Sequence, residues 1–299
     1  MGATIDGRLH GELPPLSVRG GPLTGLDHEL RVASAQVKSA LLLAGLRAAG
    51  TTSVTEPNQS RDHTERMLLE AGVDLKRTGN RVSLDGPQEV EALKWAVPGD
   101  ISSAVFLLVA ALLRPGSDLI VEDVGLNPSR SAVLDVLRDM GATIEIESDE
   151  APDERGEPVG SVRARHSALA SVTIGGDMVP RLIDEIPALA VAATQAEGTT
   201  VFTDAAELRH KESDRIEAMV TGINALGGKA EATPDGLIVH GPQRLTGGTV
   251  DSRGDHRVAL AFAVAGLVST GPVTVTGWAA TQTSFPDFVD VLAQATSGR

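Results

Sequence analysis

No cysteine occurs among the 299 residues, which excludes disulfides and thiolate chemistry within the chain and agrees with a cytoplasmic setting. Aromatic residues make up only 2%, too few for a platform on which bases would stack. Positive charge is scarce as well: 26 Lys and Arg face 40 Asp and Glu, for a net charge of −14. That balance argues against nucleic acid or an anionic membrane as the main partner. No uninterrupted apolar run is long enough to span a bilayer. The opening Met1-Gly2-Ala3-Thr4-Ile5-Asp6 carries neither the basic region nor the apolar region of a signal peptide. A chain of this charge that binds anions must do so with a few focused cations.

What is present is a repeat. Four segments share one plan: an alanine-rich apolar helix, a glycine, a β-branched strand, a polar loop, a second helix, a closing glycine and another strand. The first runs from Ser34 through Gly50 and a strand at 51–56 to a helix over 64–71 closed by Gly72. The second opens at Asp100, breaks at Pro115-Gly116 and closes at Met140-Gly141. The third opens at Asp184-Glu185-Ile186, passes Gly198 and a helix over 211–226, and closes at Gly227. The fourth opens at Asp255-His256-Arg257, passes Gly271 and ends in a helix over 285–298. Units of this size are whole α/β supersecondary blocks, with parallel strands covered by helices. A turn at Thr233-Pro234-Asp235-Gly236 adds antiparallel pairing. The length suggests two domains.

The helix openings share chemistry. Gly99-Asp100 and Gly254-Asp255 place an N-capping aspartate after a glycine, and Gly175-Gly176-Asp177 precedes the third opening. The densest opening is Lys211-Glu212-Ser213-Asp214-Arg215, where two cations flank one carboxylate at a helix N-terminus that already favours an anion. By itself this pattern reads first as a solvated, salt-bridged first turn. Met1-Gly2-Ala3-Thr4-Ile5 nearly duplicates Met140-Gly141-Ala142-Thr143-Ile144, and the strand-like Leu16-Ser17-Val18-Arg19 follows. Residues 1–20 are therefore expected to be the tail of a unit whose front lies outside this chain. No His, Asp and Glu set has metal-ligand spacing, and the glycine-rich strings lack the Lys-Ser/Thr ending of a nucleotide loop. Neither a metal nor another cofactor is expected.

Six strings in order carry a resemblance. They are Ser34-Ala35-Gln36-Val37-Lys38-Ser39-Ala40, Arg61-Asp62-His63-Thr64-Glu65, Ile183-Asp184-Glu185-Ile186-Pro187, Lys211-Glu212-Ser213-Asp214-Arg215, Asp255-His256-Arg257 and Ser284-Phe285-Pro286-Asp287-Phe288. Together they resemble the enolpyruvyl transferase family, in the branch that acts on shikimate 3-phosphate. The resemblance implies an inside-out α/β barrel of two domains, each built from three βαβ-type units with parallel and antiparallel strands. Residues 1–98 would be the remainder of the first domain and residues 99–299 most of the second. Roughly the N-terminal third would be missing, so the expected partners are two small substrates and an N-terminal segment supplied elsewhere. The chain alone is then expected to be inactive.

The implied reaction moves the enolpyruvyl group of phosphoenolpyruvate to the 5-hydroxyl of shikimate 3-phosphate and releases phosphate, a step toward chorismate and the aromatic amino acids. The hydroxyl needs a base, and the methylene carbon must gain and later lose a proton. By resemblance Asp184 is the base and Glu212 the second proton-transfer group. Ser34, Ala35, Gln36, Arg61, Asp184 and Lys211 would hold shikimate 3-phosphate. Gln36, Arg215 and Arg257 would hold phosphoenolpyruvate, because guanidinium forks match carboxylate and phosphate. Asp184 also reads as a simple helix cap, and the arginines as surface charge. His63 and His256 read as loop-fixing residues, and Lys38 and Ser39 as serving their helix. Thr283 stands where many family members carry a lysine. Two alternatives are a transferase acting on UDP-N-acetylglucosamine and a non-catalytic fragment.

Overall fold

The computed structural model describes residues 1–148 and 156–296. They form two compact units, one of residues 1–97 with 156–157, the other of residues 98–148 and 158–296.

The first unit begins with β1 (Thr4–Gly7), a single turn α1 (Arg8–Gly11) and β2 (Leu13–Arg19), in which β1 and β2 pair antiparallel. Then come β3 (Leu23–Thr24), β4 (Asp27–Glu29), α2 (Ala35–Gly45), β5 (Ala48–Thr55), α3 (His63–Glu70), β6 (Leu75–Thr78) and β7 (Arg81–Gly86). β5 is the centre of their sheet: β3 and β4 run parallel to it, and β7 pairs antiparallel between β5 and β6. Both helices bury one stripe on this sheet. Leu42, Leu46 and Leu68 meet Val54, Val73, Leu75, Val82 and Leu84 in a small core. The apolar residues alternate along β7 and recur at helical spacing along α2, as burial on one face requires.

The second unit is larger and is built around helices that are apolar on every side. It comprises α4 (Ile101–Leu113), β8 (Asp118–Gly125), α5 (Ala132–Asp139), β9 (Thr143–Glu147), β10 (Val159–Arg165), β11 (Thr173–Ile174), α6 (Ile186–Ala193) and β12 (Gly198–Phe202). α7 (Arg215–Ala225), β13 (Ala230–Thr233), β14 (Gly236–Gly241), β15 (Gly248–Asp251), α8 (His256–Gly266), β16 (Val273–Thr276) and α9 (Phe288–Thr296) complete it. Every residue of α6 is buried, and all of α4 except Ser103. Helices without a polar face belong inside, and α4, α6 and α8 pack on one another. α7 lies close enough to α8 that a methyl group at Gly222 would overlap the Phe262 ring. The few aromatics are concentrated: Phe288 meets Phe106, Trp278 and Phe285 at ring separations of 6.4, 6.4 and 5.3 Å.

Three small sheets cover this helical core. β8, β10 and β9 are antiparallel; β11, β12, β14 and β13 form a mixed sheet with β11 parallel to β12; β15 and β16 are parallel. The α/β class with both strand senses is thus as expected, and the turn at 233–236 joins β13 to β14. The glycines that close second helices, Gly72, Gly141 and Gly227, have φ of +82°, +92° and +81°, the left-handed cap that glycine tolerates. Two expectations need correction. The third unit's second helix starts at Arg215 and not at Lys211, because Asp214 caps it by accepting from Glu217 N at 3.0 Å. The final helix starts at Phe288 and not at 285, and its expected end at 297–298 lies outside the described residues.

Candidate active site

In the second unit three chain segments, each leading into a helix, converge on one guanidinium. Arg215 is the first residue of α7, and its side chain is 1% exposed. Its Nε donates to Asp255 Oδ2 at 2.8 Å, its Nη1 to Asp184 Oδ1 at 3.2 Å and its Nη2 to Glu212 Oε2 at 2.5 Å. Asp255 is fully buried and does two jobs. One oxygen caps α8 by accepting from Arg257 N at 2.9 Å and Val258 N at 3.4 Å; the other holds Arg215 and Ser213 Oγ. The aspartate that begins α8 therefore fixes the cation that begins α7.

Asp184 lies between two arginines. Besides Arg215, Arg257 Nη2 lies 3.7 Å from its Oδ2, and Arg257 Nη1 donates to its backbone carbonyl at 3.4 Å. Asp184 does not cap α6: Glu185 takes the cap position, and no side chain there bonds the helix N–H groups. Its side chain keeps 16% exposure and that of Glu212 keeps 51%, so both carboxylates reach the edge of the cluster while Arg215 stays beneath them.

The arrangement departs from the sequence expectation in two ways. Lys211 does not flank Glu212; it pairs with Glu207, while Arg209 pairs with Asp214 at 2.7 Å. Arg215 is not an open fork, since each of its three nitrogens already meets a carboxylate. Two guanidinium groups, Arg215 and Arg257, thus face three carboxylates, Asp184, Glu212 and Asp255. An anion that binds Arg215 has to displace one of its three carboxylates, and Glu212 is the most exposed.

Neighbouring groups missed in the sequence brace this cluster. Glu185 is 1% exposed, and burial pushes its carboxyl above the ordinary carboxylate range, with the Ser102 hydroxyl and Arg130 opposing. Ser102 Oγ donates to Glu185 and accepts from Arg130 Nη2, which also reaches Asp100 Oδ1 at 3.0 Å. The recurring Gly-Asp helix openings were the available signal for this network, because Asp100 is one of them. His256 is held below its ordinary pKa by burial and then by Arg257, which favours the neutral ring at neutral pH.

The first unit carries the remaining expected residues. Ser34 caps α2, its Oγ accepting from Val37 N at a long 3.4 Å. Ala35 is half-buried and Gln36 exposed beside it. Arg61 lies in the loop before α3, next to Asp62, which is buried against Arg66 and Arg77. His63 Nδ1 meets Glu157 Oε1 at 2.6 Å. α3, which follows Arg61 and Asp62, begins without a side-chain cap. Ser34, Ala35, Gln36 and Arg61 thus belong to one unit, and Asp184, Lys211, Glu212, Arg215 and Arg257 to the other. Among the described residues no group of three or more His, Asp or Glu is arranged to hold a metal ion, and no helix is long and apolar enough to cross a membrane.

Comparison with known proteins matches residues 1–292 to the family model described as EPSP synthase (3-phosphoshikimate 1-carboxyvinyltransferase). A 3-phosphoshikimate 1-carboxyvinyltransferase from Brevibacillus brevis is 50% identical over 294 residues, covering 98% of this chain and 68% of the relative. One from Bacillus licheniformis is 50% identical over 291 residues, covering 97% and 68%. Among solved structures, EPSP synthase from Acinetobacter baumannii superposes with a TM-score of 0.92 at 44% identity, over 99% of this chain and 68% of that one.

Proposed function

The chain belongs to the EPSP synthase family, and from that premise we propose that it serves the transfer of the enolpyruvyl group of phosphoenolpyruvate to the 5-hydroxyl of shikimate 3-phosphate, with release of phosphate. The observation that supports this reading most is the convergence of Asp184, Glu212 and Asp255 on Arg215, with Arg257 also against Asp184. The acceptor oxygen forms a bond to the central enol carbon as its proton passes to Asp184. The methylene carbon gains a proton, with Glu212 placed to exchange it. The bond to the phosphate oxygen then breaks, the methyl group returns a proton, and the double bond is restored. Arg257, together with Arg215 once Glu212 swings away, matches the substrate carboxylate and phosphate. Gln36 would be a further contact of phosphoenolpyruvate. Ser34, the Ala35 N–H and Arg61 would hold the sugar phosphate, with Asp184 and Lys211 on its ring hydroxyls.

Three further points belong to the same proposal. The two compact units correspond to parts of two three-unit domains, divided near residue 98. Turnover by the 299-residue chain alone is low, because its two clustered guanidinium groups are already matched by three carboxylates. The setting is cytoplasmic, in keeping with a chain free of cysteine.

The test is a calorimetric titration of the chain with each substrate, followed by single-turnover phosphate release at high protein concentration. Shikimate 3-phosphate should bind, phosphoenolpyruvate should bind more tightly in its presence, and phosphate should appear only with both. UDP-N-acetylglucosamine should not replace the shikimate ester. A chain that binds neither substrate, or releases phosphate with the nucleotide sugar, overturns the reading.

A further inference from the structure

The first unit contains a buried charge cluster that the reaction itself does not use. Lys38, in the first turn of α2, is 1% exposed, and its Nζ lies 2.7 Å from both Glu56 Oε2 and Glu65 Oε1. Glu56 follows β5 and is 5% exposed; Glu65 sits in the first turn of α3 and is 1% exposed. The contact to Glu65 is an ion pair by distance only, since neither of its oxygens receives a hydrogen bond. Lys38 is therefore the charge that makes two buried carboxylates tolerable side by side.

Glu56 has a second set of partners. Its Oε1 accepts from Ser60 Oγ at 2.5 Å and its Oε2 from Ser60 N at 3.4 Å. Residues 57–60 are thus wrapped around the Glu56 carboxylate, and the next residue is Arg61. A second stitch joins the same elements, Ser39 Oγ to Thr64 Oγ1 at 2.6 Å. One side of the node holds the start of α2, with Ser34, Ala35 and Gln36; the other holds the loop that ends in Arg61. These are the two segments to which the proposed function assigns the sugar phosphate.

We propose that Lys38, Glu56 and Ser60 form a positioning node that sets the α2 N-terminus and the Arg61 loop in register, so that a phosphate monoester is gripped by both at once. The inference rests on the proposed function for the identity of that ester. The coupling of the two segments stands apart from it. Phosphate recognition by backbone N–H groups and a guanidinium demands placement within a fraction of an ångström. A buried ammonium between fixed carboxylates supplies such placement without touching the ligand. None of the three residues contacts the reacting atoms in this assignment; they act through Ser34, Ala35 and Arg61.

The experiment uses Ser60→Ala and Ser60→Thr in the 299-residue chain, since Ser60 is half-buried and its loss removes one hydroxyl without unpairing a buried charge. Amide hydrogen exchange is read first, without ligand. Ser60→Ala should speed exchange in residues 60–62 and also at Val37 and Lys38 in α2, and Ser60→Thr should restore both. Titration with shikimate 3-phosphate and with inorganic phosphate follows. Ser60→Ala should weaken the ester by about fivefold, the net order of one ordinary hydrogen bond, since Ser60 acts only through Arg61 and its loop, with Ser60→Thr near the parent chain. Glu56→Gln should weaken it more. Exchange confined to residues 60–62, or ester affinity unchanged while both segments loosen, overturns the node. Coupled loosening in Ser60→Ala, with a parent chain that has no affinity for the ester, would overturn the proposed function, and the ligand half of this proposal with it.

Discussion

Two buried cations invite comparison, Lys38 in the first unit and Arg215 in the second. Both sit in the first turn of a helix, both are about 1% exposed, and both face more than one carboxylate. They differ in what surrounds them. The partners of Lys38 are sealed, with side-chain exposures of 3% for Glu56 and 1% for Glu65. Two partners of Arg215 reach the surface, Asp184 at 16% and Glu212 at 51%, and only Asp255 is sealed. A closed cluster has one arrangement and serves to position. A cluster with exposed carboxylates can exchange one of them for a ligand, as the proposed chemistry requires. The difference lies in access and not in residue type.

The largest expected effect falls on the open cluster. Asp184→Asn should leave shikimate 3-phosphate binding nearly intact, because an amide still accepts a hydrogen bond, yet slow single-turnover phosphate release by about 10²–10⁴. A near-normal rate would remove Asp184 from proton transfer. On the closed cluster the effect is on stability. Lys38→Met leaves Glu56 and Glu65 buried without a counter-charge and should destabilise the first unit by about 3–5 kcal/mol in urea unfolding. If that variant unfolds together with the parent chain, the sealed cluster is not the structural node argued above.

Much of this contrast was legible in the sequence. The Gly-Asp openings fixed where α4 and α8 begin, and the strings around Asp184, Lys211 and Asp255 marked segments that do converge. The partner of each long side chain was not legible. Lys211 lies next to Glu212 in sequence but pairs with Glu207, because the chain between Lys211 and Asp214 is not yet helical and turns the two side chains apart. Asp184 and Glu185 are adjacent, and a one-residue shift at the start of α6 decides which faces the arginines and which is buried against Ser102. Burial of Arg215 depends on α8 supplying Asp255, a contact between residues forty apart. Local pattern carries no information about such a pair.

The smallest effect concerns Glu185. Burial raises its carboxyl in the folded chain, so the fold holds a proton that the unfolded chain releases. Its contribution is then full below the ordinary value near 4.5 and is lost as pH rises toward the raised value. Glu185→Gln keeps an acceptor for Ser102 and removes the titration. The variant should gain melting temperature relative to the parent as pH rises from 4.5 to neutrality, with little difference at the acid end. A gap that narrows with rising pH would contradict the assignment.

The proposed chemistry requires Glu212 and a substrate anion to compete for Arg215. Calorimetric titration of phosphoenolpyruvate into the parent chain and into Glu212→Gln, with shikimate 3-phosphate present, tests this most directly when paired with single-turnover rates on the same samples. The predicted result is a split: phosphoenolpyruvate binding about fivefold tighter, because one charged competitor is gone, and phosphate release slower, because a proton-transfer group is gone. Weaker binding in Glu212→Gln, or a rate equal to that of the parent chain, would contradict it.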